Sequence, residues 1–276
     1  MEQKVQISGK NFPQLSYVKT GSGPAIILLH GFPESGSLWR YVWPRLSEKY
    51  TVIVPDLPGS GESSFNGDQV SIEQLADSVK QIADNEGITE MVMVGHSMGG
   101  YAALAFAELY GSGLKGLSLV HSTAAADNDE KKETRRKSIA LIEKGGKDAF
   151  IRQMVPALFS KMFKEGNADV LSQEIERGLK LEGTSMVAFY NAMINRPARI
   201  ATLENAACPV QWIFGEEDTI VPAEKVMQQS TLADVNFVSV YSGCAHMSML
   251  EDPERLAEDL SDFGEYCFKF NSKRNV

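Results

Sequence analysis

The stretch MVMVGHSMGGYAAL, residues 91–104, places a lone serine among glycines at the end of an apolar run. Residues 91–95 suit a buried strand, and the small residues at 101–104 suit a helix. GHSMG at 95–99 thus fits the pattern G-x-S-x-G in a strand-turn-helix context. Glycine is needed beside the serine because side chains would collide with neighbouring strands in so sharp a turn. The pattern predicts that Ser97 has a strained backbone, with its hydroxyl above the sheet near a helix N-terminus.

Composition limits the classes of protein to which this chain can belong. It has 276 residues, 43% of them hydrophobic, which suits one large domain or a core domain with an inserted lobe. Its formal net charge of −9 disfavours nucleic acid and membrane surfaces as partners. We expect neither a secretory signal in MEQKVQISGKNF nor a membrane span. Cys208, Cys244 and Cys267 lack metal-like spacing, which predicts reduced thiols in a cytoplasmic protein.

Six short apolar runs predict buried strands. They show little alternation of apolar and polar residues, which is typical of a parallel sheet with helices on both faces. KVQISG and LSYVKTG, which precede the first run, predict a short antiparallel pair. The sequence therefore predicts an α/β fold with a mostly parallel central sheet flanked by helices. The six runs are AIILL at 25–29, TVIVP at 51–55, MVMVG at 91–95, GLSLV at 116–120, VQWIF at 210–214 and VNFVSV at 235–240.

Two segments between or after these strands have clear helical signatures. Residues 71–87 carry an apolar stripe at helical spacing, with Ser71 suited to the N-cap and Gln74 placed as its capping-box partner. Residues 253–268 begin with Pro253 and repeat apolar residues at the same spacing. Both segments are predicted to be amphipathic helices that cover the sheet.

Residues 124–196 interrupt the alternation of strands and helices, because they contain no good strand. We predict that they form a helical lobe inserted between two strands of one sheet, over the carboxyl ends where ligands bind in open α/β sheets. The charged run DNDEKKETRRK at 127–137 is expected to be a solvated helix face. The predicted core then comprises 1–123 and 197–276, with a helical cap at 124–196.

A base for Ser97 must come from the four histidines of the chain. A serine hydroxyl needs a base within hydrogen-bond reach, and an acid that orients the base. His246 alone lies in a loop, YSGCAHMSMLEDPE, after the last predicted strand and before the last helix. His30 ends the first parallel strand, His96 points away from the serine, and His121 ends a strand, where we expect a structural hydrogen bond. His246 is therefore the candidate base.

The candidate acid lies in the stretch WIFGEEDTIVP, after the strand at 210–214. Asp218 follows the end of that strand, and the Val-Pro pair at 221–222 stiffens the exit from the loop. Glu216 and Glu217 compete in the same loop, but we expect them to be solvated. The chain order of the three candidates is then serine, aspartate, histidine.

Together these stretches resemble the α/β-hydrolase family, whose catalytic residues follow the same order. The resemblance extends almost from end to end, and the predicted lobe resembles the variable helical cap of that family. The matching stretches are HGFPES at 30–35, DLPGSGES at 56–63, GHSMGG at 95–100, GEEDTIVP at 215–222 and GCAHMSMLEDPE at 243–254.

The resemblance implies a role for each candidate residue. Ser97 would be the nucleophile, His246 the base and Asp218 the orienting acid. The backbone N–H groups of Phe32 and Met98 would form an oxyanion hole, which acts on charge present only after attack. Epoxide hydrolases and haloalkane dehalogenases share HGFP with this chain but carry aspartate at the elbow. Serine cannot supply the carboxylate that those reactions need, so neither activity is expected.

The resemblance thus implies an esterase-like serine hydrolase that forms an acyl-enzyme on Ser97 and needs no cofactor or metal. A lactonase, a carbon–carbon bond hydrolase or a perhydrolase would use the same triad, and a ligand-binding receptor is a further alternative. We expect a monomer or homodimer acting on a small-molecule substrate with an apolar part. Six lobe residues could contact that part, or simply pack in the lobe: Phe150, Phe159, Phe163, Met186, Phe189 and Tyr190.

Overall fold

The computed structural model describes residues 2–65 and 69–270 of the chain. Its centre is an eight-stranded sheet in the order β1-β2-β4-β3-β5-β6-β7-β8. β1 and β2 are antiparallel, β2 is antiparallel to β4, and the remaining neighbours are parallel. The predicted mostly parallel sheet is therefore confirmed. The strands are β1 Gln3–Ile7, β2 Leu15–Gly21, β3 Ala25–Leu29, β4 Thr51–Pro55, β5 Met91–His96, β6 Leu114–Val120, β7 Val210–Gly215 and β8 Asn236–Tyr241.

The central strands are covered on both faces, as their lack of alternation predicts. Every residue of β3, β5 and β7 is buried. The edge strand β8 differs, because Val238 and Val240 are 43% and 39% exposed. One face of β8 is therefore solvated even though its sequence has the apolar character of a buried strand.

Helices flank the sheet. α2 packs against α3, which also contacts β3, β5 and β6, while α12 packs against α1 and β6. The capping box at the start of α2 is present: Ser71 Oγ accepts from the Gln74 amide, and Gln74 Oε1 accepts from the Ser71 amide. The helices are α1 Trp43–Leu46, α2 Ile72–Asn85, α3 Met98–Tyr110, α4 Asp129–Leu141, α5 Lys147–Ala157, α6 Lys161–Gly166, α7 Ala168–Leu179, α8 Gly183–Asn195, α9 Ile200–Glu204, α10 Ala223–Met227, α11 Ser248–Glu251 and α12 Pro253–Lys269.

Six helices, α4 to α9, lie between β6 and β7, and no strand occurs between Val120 and Val210; the first five of them, α4 to α8, form a helical segment within residues 124–196. The two ends of this helical segment are tied together. Arg199 N–H donates to the carbonyl of Ala124 over 2.7 Å, and Arg196 Nη2 lies 2.9 Å from Asp127 Oδ1. The division of the chain into a core and a cap at these ends stays a prediction.

The charged run at 127–137 is only partly the solvated face expected from the sequence. Most of its side chains are exposed or half-buried. Asp127, however, is buried, and the guanidinium of Arg135 donates to its carboxylate from Nε over 2.6 Å. This charged run thus contains an internal ion pair between Asp127, which precedes α4, and Arg135 within α4. No helix in the described part of the chain is long and apolar enough to cross a membrane.

Candidate active site

Ser97 stands between β5 and α3 in a conformation rare for a non-glycine residue, with φ 50° and ψ −113°. The glycines around it leave room for this turn. A Cβ on Gly95 would lie 2.5 Å from the carbonyl oxygen of Gly99, and a Cβ on Gly99 would lie 2.5 Å from that of His30. Both distances are far inside van der Waals contact, so the start of α3 can press against the end of β3 only with glycine at these positions.

Asp218 and His246 meet at the carboxyl end of the sheet, where both are buried. His246 Nδ1 donates to Asp218 Oδ2 over 2.8 Å. The other carboxylate oxygen, Oδ1, accepts from the amides of Ile220 and Val221 at 2.8 and 2.9 Å. Burial acts to raise the pKa of Asp218, but its interactions with His246 and His121 outweigh burial and hold the pKa well below its usual range. Asp218 is therefore an ionised carboxylate that orients His246.

The structure brings His246 to the elbow through its main chain. His96 Nε2–H donates to the carbonyl of His246 over 3.0 Å, and the two rings are 4.9 Å apart between centroids. Among the described residues, no hydrogen bond joins the Ser97 hydroxyl to His246. His96, which the sequence placed in the elbow without a role, thus holds the backbone of the candidate base. Burial keeps the pKa of His96 well below its ordinary value, so this ring is neutral.

His121 is a site residue that the sequence did not single out. The sequence predicted only a structural hydrogen bond for it, and the acceptor of that bond proves to be the candidate acid. His121 Nδ1 lies 3.1 Å from Asp218 Oδ2, the same oxygen that His246 contacts, and its Nε2 lies 2.9 Å from Ser248 Oγ. The partners are 97 and 127 residues away along the chain, so no local pattern could reveal them.

Glu216 and Glu217, the alternative acids, are exposed. Glu216 accepts from the Ser242 hydroxyl over 2.6 Å. Neither contacts a histidine in the part of the chain that the structure describes. Within this loop only Asp218 is placed to orient a base.

The loop that carries Phe32 is fixed by its neighbours. The Leu57 amide donates to His30 Nε2 over 2.9 Å, which places the proton of that imidazole on Nδ1, where it is donated to the carbonyl of Gly31. Asp56 Oδ1 accepts from the amide of Gly36 over 2.9 Å. The HGFPES and DLPGSGES stretches therefore hold each other in place. The Phe32 ring in turn contacts Tyr190 of α8, with 4.7 Å between centroids.

The loop that carries His246 is clamped by the helical segment. The His246 amide donates to the carbonyl of Leu158 over 2.9 Å. Glu251 accepts from the amides of Ala245 and Met247 with Oε1, and from the amide of Ser160 with Oε2 at 3.0 Å. Residues after α5 thus contact the main chain of the candidate base directly.

A cavity of about 370 Å³ lies beside these loops. Pro33 borders it next to Phe32 and is followed by Glu34, Met247 borders it next to His246, and α7 supplies Glu174 and Arg177. Burial raises the pKa of Glu34 to about 8, and the nearby charge of Glu174 adds to this effect. None of the six lobe residues suggested from the sequence lines this cavity. Three of them are packed almost completely: Phe159, Met186 and Phe189.

His121, Asp218 and His246 are also the described residues whose donor atoms lie close enough together to hold a metal ion, within 4.8 Å of one another. Both imidazoles turn Nδ1 toward one carboxylate oxygen at hydrogen-bond distance, 3.1 and 2.8 Å. The donors of this cluster therefore already satisfy each other, and the arrangement suits proton transfer.

Comparison with known proteins places this geometry in a family. A model of the alpha/beta hydrolase fold matches residues 24–253, most of the chain. The chain belongs to the alpha/beta hydrolase family. An uncharacterized protein of Mycobacterium tuberculosis is 25% identical over 263 residues, which cover 88% of this chain and 76% of that protein.

Solved structures of other alpha/beta hydrolases have the same architecture. A thermophilic esterase from Thermogutta terrifontis, solved with malate bound, superposes with a TM-score of 0.90 and 29% identity, covering 96% of this chain and 99% of the esterase. An enol-lactonase from Burkholderia xenovorans superposes with a TM-score of 0.85 at 19% identity, covering 94% and 99% of the two chains. The family and its esterase neighbour support a hydrolytic enzyme.

Proposed function

We propose that this protein is a serine hydrolase that cleaves a carboxylic ester or a related acyl bond through an acyl-enzyme on Ser97. The observation that carries the proposal is the 2.8 Å hydrogen bond from His246 Nδ1 to Asp218 Oδ2, in a loop held against the elbow. Because Asp218 keeps the proton on Nδ1, the lone pair on Nε2 is available to accept a proton. The pair supplies the base that a serine hydroxyl needs.

The reaction proceeds in two halves. Ser97 Oγ bonds to the carbonyl carbon while its proton passes to His246 Nε2, and the carbonyl oxygen becomes an oxyanion. The tetrahedral intermediate collapses, the alcohol leaves with the proton from His246, and the acyl-enzyme remains. Water then gives a proton to His246 and attacks the acyl carbon, and when this second tetrahedral intermediate collapses, Ser97 Oγ takes that proton from His246 and the acid is released. The hydrogen bond between Ser97 and His246 is expected to form with substrate bound, since such bonds are often loose in free enzymes.

The oxyanion would be stabilised by the amides of Phe32 and Met98. Met98 is the first residue of α3, where N–H groups have no acceptor within the helix. Among the described residues, the Phe32 amide donates to no backbone carbonyl. The close approach of Gly99 to the carbonyl of His30 brings the two segments together. Fixed N–H dipoles of this kind act on charge that develops only after attack.

We also propose that residues 124–196 act as a cap and that the 370 Å³ cavity receives part of the substrate. In support, the carbonyl of Leu158 and the amide of Ser160 contact the His246 loop. The carboxyl and guanidinium groups of Glu34 and Arg177 would face polar atoms of the substrate. An apolar part would lie against Val155, Leu181 and Met247, which line the same cavity. A substrate with one polar and one apolar end fits this lining.

The esterase from Thermogutta terrifontis, at 29% identity over most of both chains, supports ester bonds as the target. We expect the enzyme to act in the cytoplasm, as a monomer or homodimer, on small molecules and not on nucleic acid or membranes. The chemistry requires no cofactor, because nucleophile, base, acid and oxyanion donors all belong to the chain.

A fluorophosphonate probe tests the proposal most directly. Incubation with the probe and peptide mapping should locate the adduct on Ser97, and Ser97→Ala should abolish labelling. Ser172→Ala, on the exposed surface of α7, is the matched control and should label fully. A panel of esters, lactones and diketo acids then ranks the substrates. Labelling elsewhere, or labelling of the alanine variant, would refute the proposal. A burst without turnover on every substrate would favour a receptor.

A further inference from the structure

The carboxylate of Asp218 serves two histidines. His121 and His246 both place Nδ1 within hydrogen-bond distance of Oδ2, at 3.1 and 2.8 Å. His121 follows β6, and its backbone has φ 49°. Within residues 2–65 and 69–270, only Ser97 and His121 combine a side chain with positive φ. Strained conformations of this kind collect at functional sites, where the surrounding structure holds them.

The hydrogen bonds of His121 fix its protonation state. A carboxylate can only accept, so the Nδ1 atoms of both His121 and His246 must carry protons. Burial lowers the pKa of His121, so the ring is neutral and its Nε2 has a lone pair. Ser248 Oγ, 2.9 Å away, then donates to that lone pair. Ser248 thus donates to His121, and His121 donates to Asp218 Oδ2, the same oxygen to which His246 donates.

We propose that His121 is a positioning residue. By donating to the same oxygen of Asp218 as His246, it weakens the stabilisation that Asp218 gives to the His246 imidazolium. Ser248 fixes the orientation and tautomer of His121. The inference rests on the proposed hydrolase function and assigns these two residues a part in it. Four groups face the imidazole pair: Asp218 after β7, neutral His96 at the end of β5, Ser248 in α11, and Glu251 of α11, whose charge acts on His121.

The consequence concerns proton affinity. When His246 accepts the serine proton, the resulting imidazolium is stabilised by Asp218. A second donor on the same oxygen draws on the same negative charge and weakens this stabilisation. A hydroxyl that donates to Nε2 of His121 makes its Nδ1–H a stronger donor. The pair thus holds the base in a less basic state, so that it remains unprotonated and active at lower pH.

The kinetic test compares two replacements of His121. His121→Leu keeps a similar volume but removes the donor. His121→Asn can keep it, because its amide nitrogen lies near the place of Nδ1, and asparagine tolerates positive φ. The acidic limb of the pH profile of kcat/KM reports the free base. We expect its midpoint to rise by about 0.5–1 pH unit in His121→Leu and to return to within about 0.2 unit of the parent in His121→Asn. A merely structural residue would lower kcat at all pH values without moving the limb.

A spectroscopic test does not depend on the folding of the leucine variant. The chain has four histidines, so ¹⁵N-histidine spectra of the whole protein can be assigned with single variants. His121 should be a neutral ring with its proton on Nδ1 at pH 7, and Ser248→Ala should weaken the downfield shift of the Nδ1–H signal. A charged ring, or a proton on Nε2, would overturn the inference.

The two levels of the proposal can fail separately. If Ser97→Ala stays active, the proposed acyl-enzyme on Ser97 is wrong. If Ser97→Ala is inactive while the limb of folded His121→Leu coincides with that of the parent, the function stands and only the role of His121 is refuted. If the limb moves equally in the leucine and asparagine variants, the donor is not the cause and the inference is also refuted.

Discussion

Two buried aspartates mark two regions of this molecule and differ in what neutralises them. Asp218, at the carboxyl edge of the sheet, accepts hydrogen bonds from two amides and from two imidazoles. Asp127, at the base of the helical segment, is paired with the guanidinium groups of Arg135 and Arg196 at 2.6 and 2.9 Å. The Asp218 carboxylate is therefore held by hydrogen bonds from amide and imidazole N–H groups, whereas the charge of the Asp127 carboxylate is neutralised by two guanidinium cations.

The difference separates the candidate active site from a structural ion pair. A carboxylate held by neutral donors keeps its charge available to stabilise a cation that appears during a reaction. A carboxylate between two arginines has no such charge to spare, and it serves to hold the ends of the helical segment together. Burial acts to raise the pKa of Asp127, but the adjacent guanidinium groups outweigh it and lower the pKa. We therefore expect Asp218 to matter for catalysis and Asp127 for stability.

The largest effect is expected from Asp218→Asn. The amide can no longer hold the Nδ1 proton of His246, so kcat should fall by about 10⁴ while the protein stays folded. Steady-state kinetics on the best ester of the panel would measure the fall. Glu217→Gln, one residue away and exposed, is the control and should stay within about twofold of the parent. A loss of activity in the control equal to that of Asp218→Asn would move the acid to Glu217.

Asp127→Asn should give the opposite result. Removing this carboxylate leaves the buried Arg196, and the nearly buried Arg135, without their counter-charge, which costs about 3–5 kcal/mol of unfolding free energy. Urea unfolding would measure the loss, and kcat of the folded fraction should remain near that of the parent. Glu130→Gln, exposed in the same helix, should change stability by about 0.5 kcal/mol or less. A large loss of stability in Glu130→Gln would show that α4 is sensitive to any substitution, and the loss in Asp127→Asn could then not be assigned to its ion pairs.

Glu34 is a third kind of acid, half-buried at the cavity and without an ion-pair partner among the described residues. Its Oε2 has no hydrogen-bond partner among the described residues, and burial raises its pKa from 4.5 to about 8. Because the folded state favours the protonated form of Glu34, the contribution of this group to the free energy of unfolding is fully present below pH 4.5 and is lost as pH rises to about 8. Raising the pH through this window therefore destabilises the parent protein.

Glu34→Gln removes this titration. The variant's stability relative to the parent should increase by about 2–4 kcal/mol between pH 5 and pH 8, since each pH unit in the window is worth about 1.4 kcal/mol. Urea unfolding at several pH values would measure the increase. Glu182→Gln, an exposed residue at the same cavity, should show no such trend. A constant difference for Glu34→Gln would mean that Glu34 is ionised in the folded state.

The sequence could predict what depends on local rules. Six apolar runs located β3 to β8, the stretches KVQISG and LSYVKTG located β1 and β2, the serine and glutamine at 71 and 74 located a helix start, and glycines around Ser97 located the elbow. Asp218 and His246 could be found because each occupies a loop just after a strand, at the edge where parallel strands end. Each of these inferences needs only a few neighbouring residues.

The sequence could not predict contacts between residues that are far apart along the chain and meet only in the folded structure. Asp127 and Arg135 belong to a run whose composition indicates a solvated helix, and the sequence does not reveal that Arg196, which follows α8, returns to pair with Asp127. His121 resembles any histidine at a strand end until the loop carrying Asp218 meets it. The cavity beside Glu34 likewise exists only because α7 lies across the HGFPES loop. His121 and Asp218 are 97 residues apart along the chain, and Asp127 and Arg196 are 69 residues apart.

The smallest change in stability is expected for an aspartate that is paired with a cation but is exposed to solvent. Asp84 pairs with Lys80 one turn earlier in α2, with side chains 60% and 36% exposed. Water already solvates both groups, so Asp84→Ala should cost about 0.5 kcal/mol or less, and salt should reduce the difference further. Urea unfolding at low and high ionic strength would measure both effects, with Lys80→Ala as the matched partner variant. A loss comparable to that of Asp127→Asn would mean that an ion pair stabilises the fold without burial, and the cost expected for Asp127→Asn would then not come from leaving a buried charge unpaired.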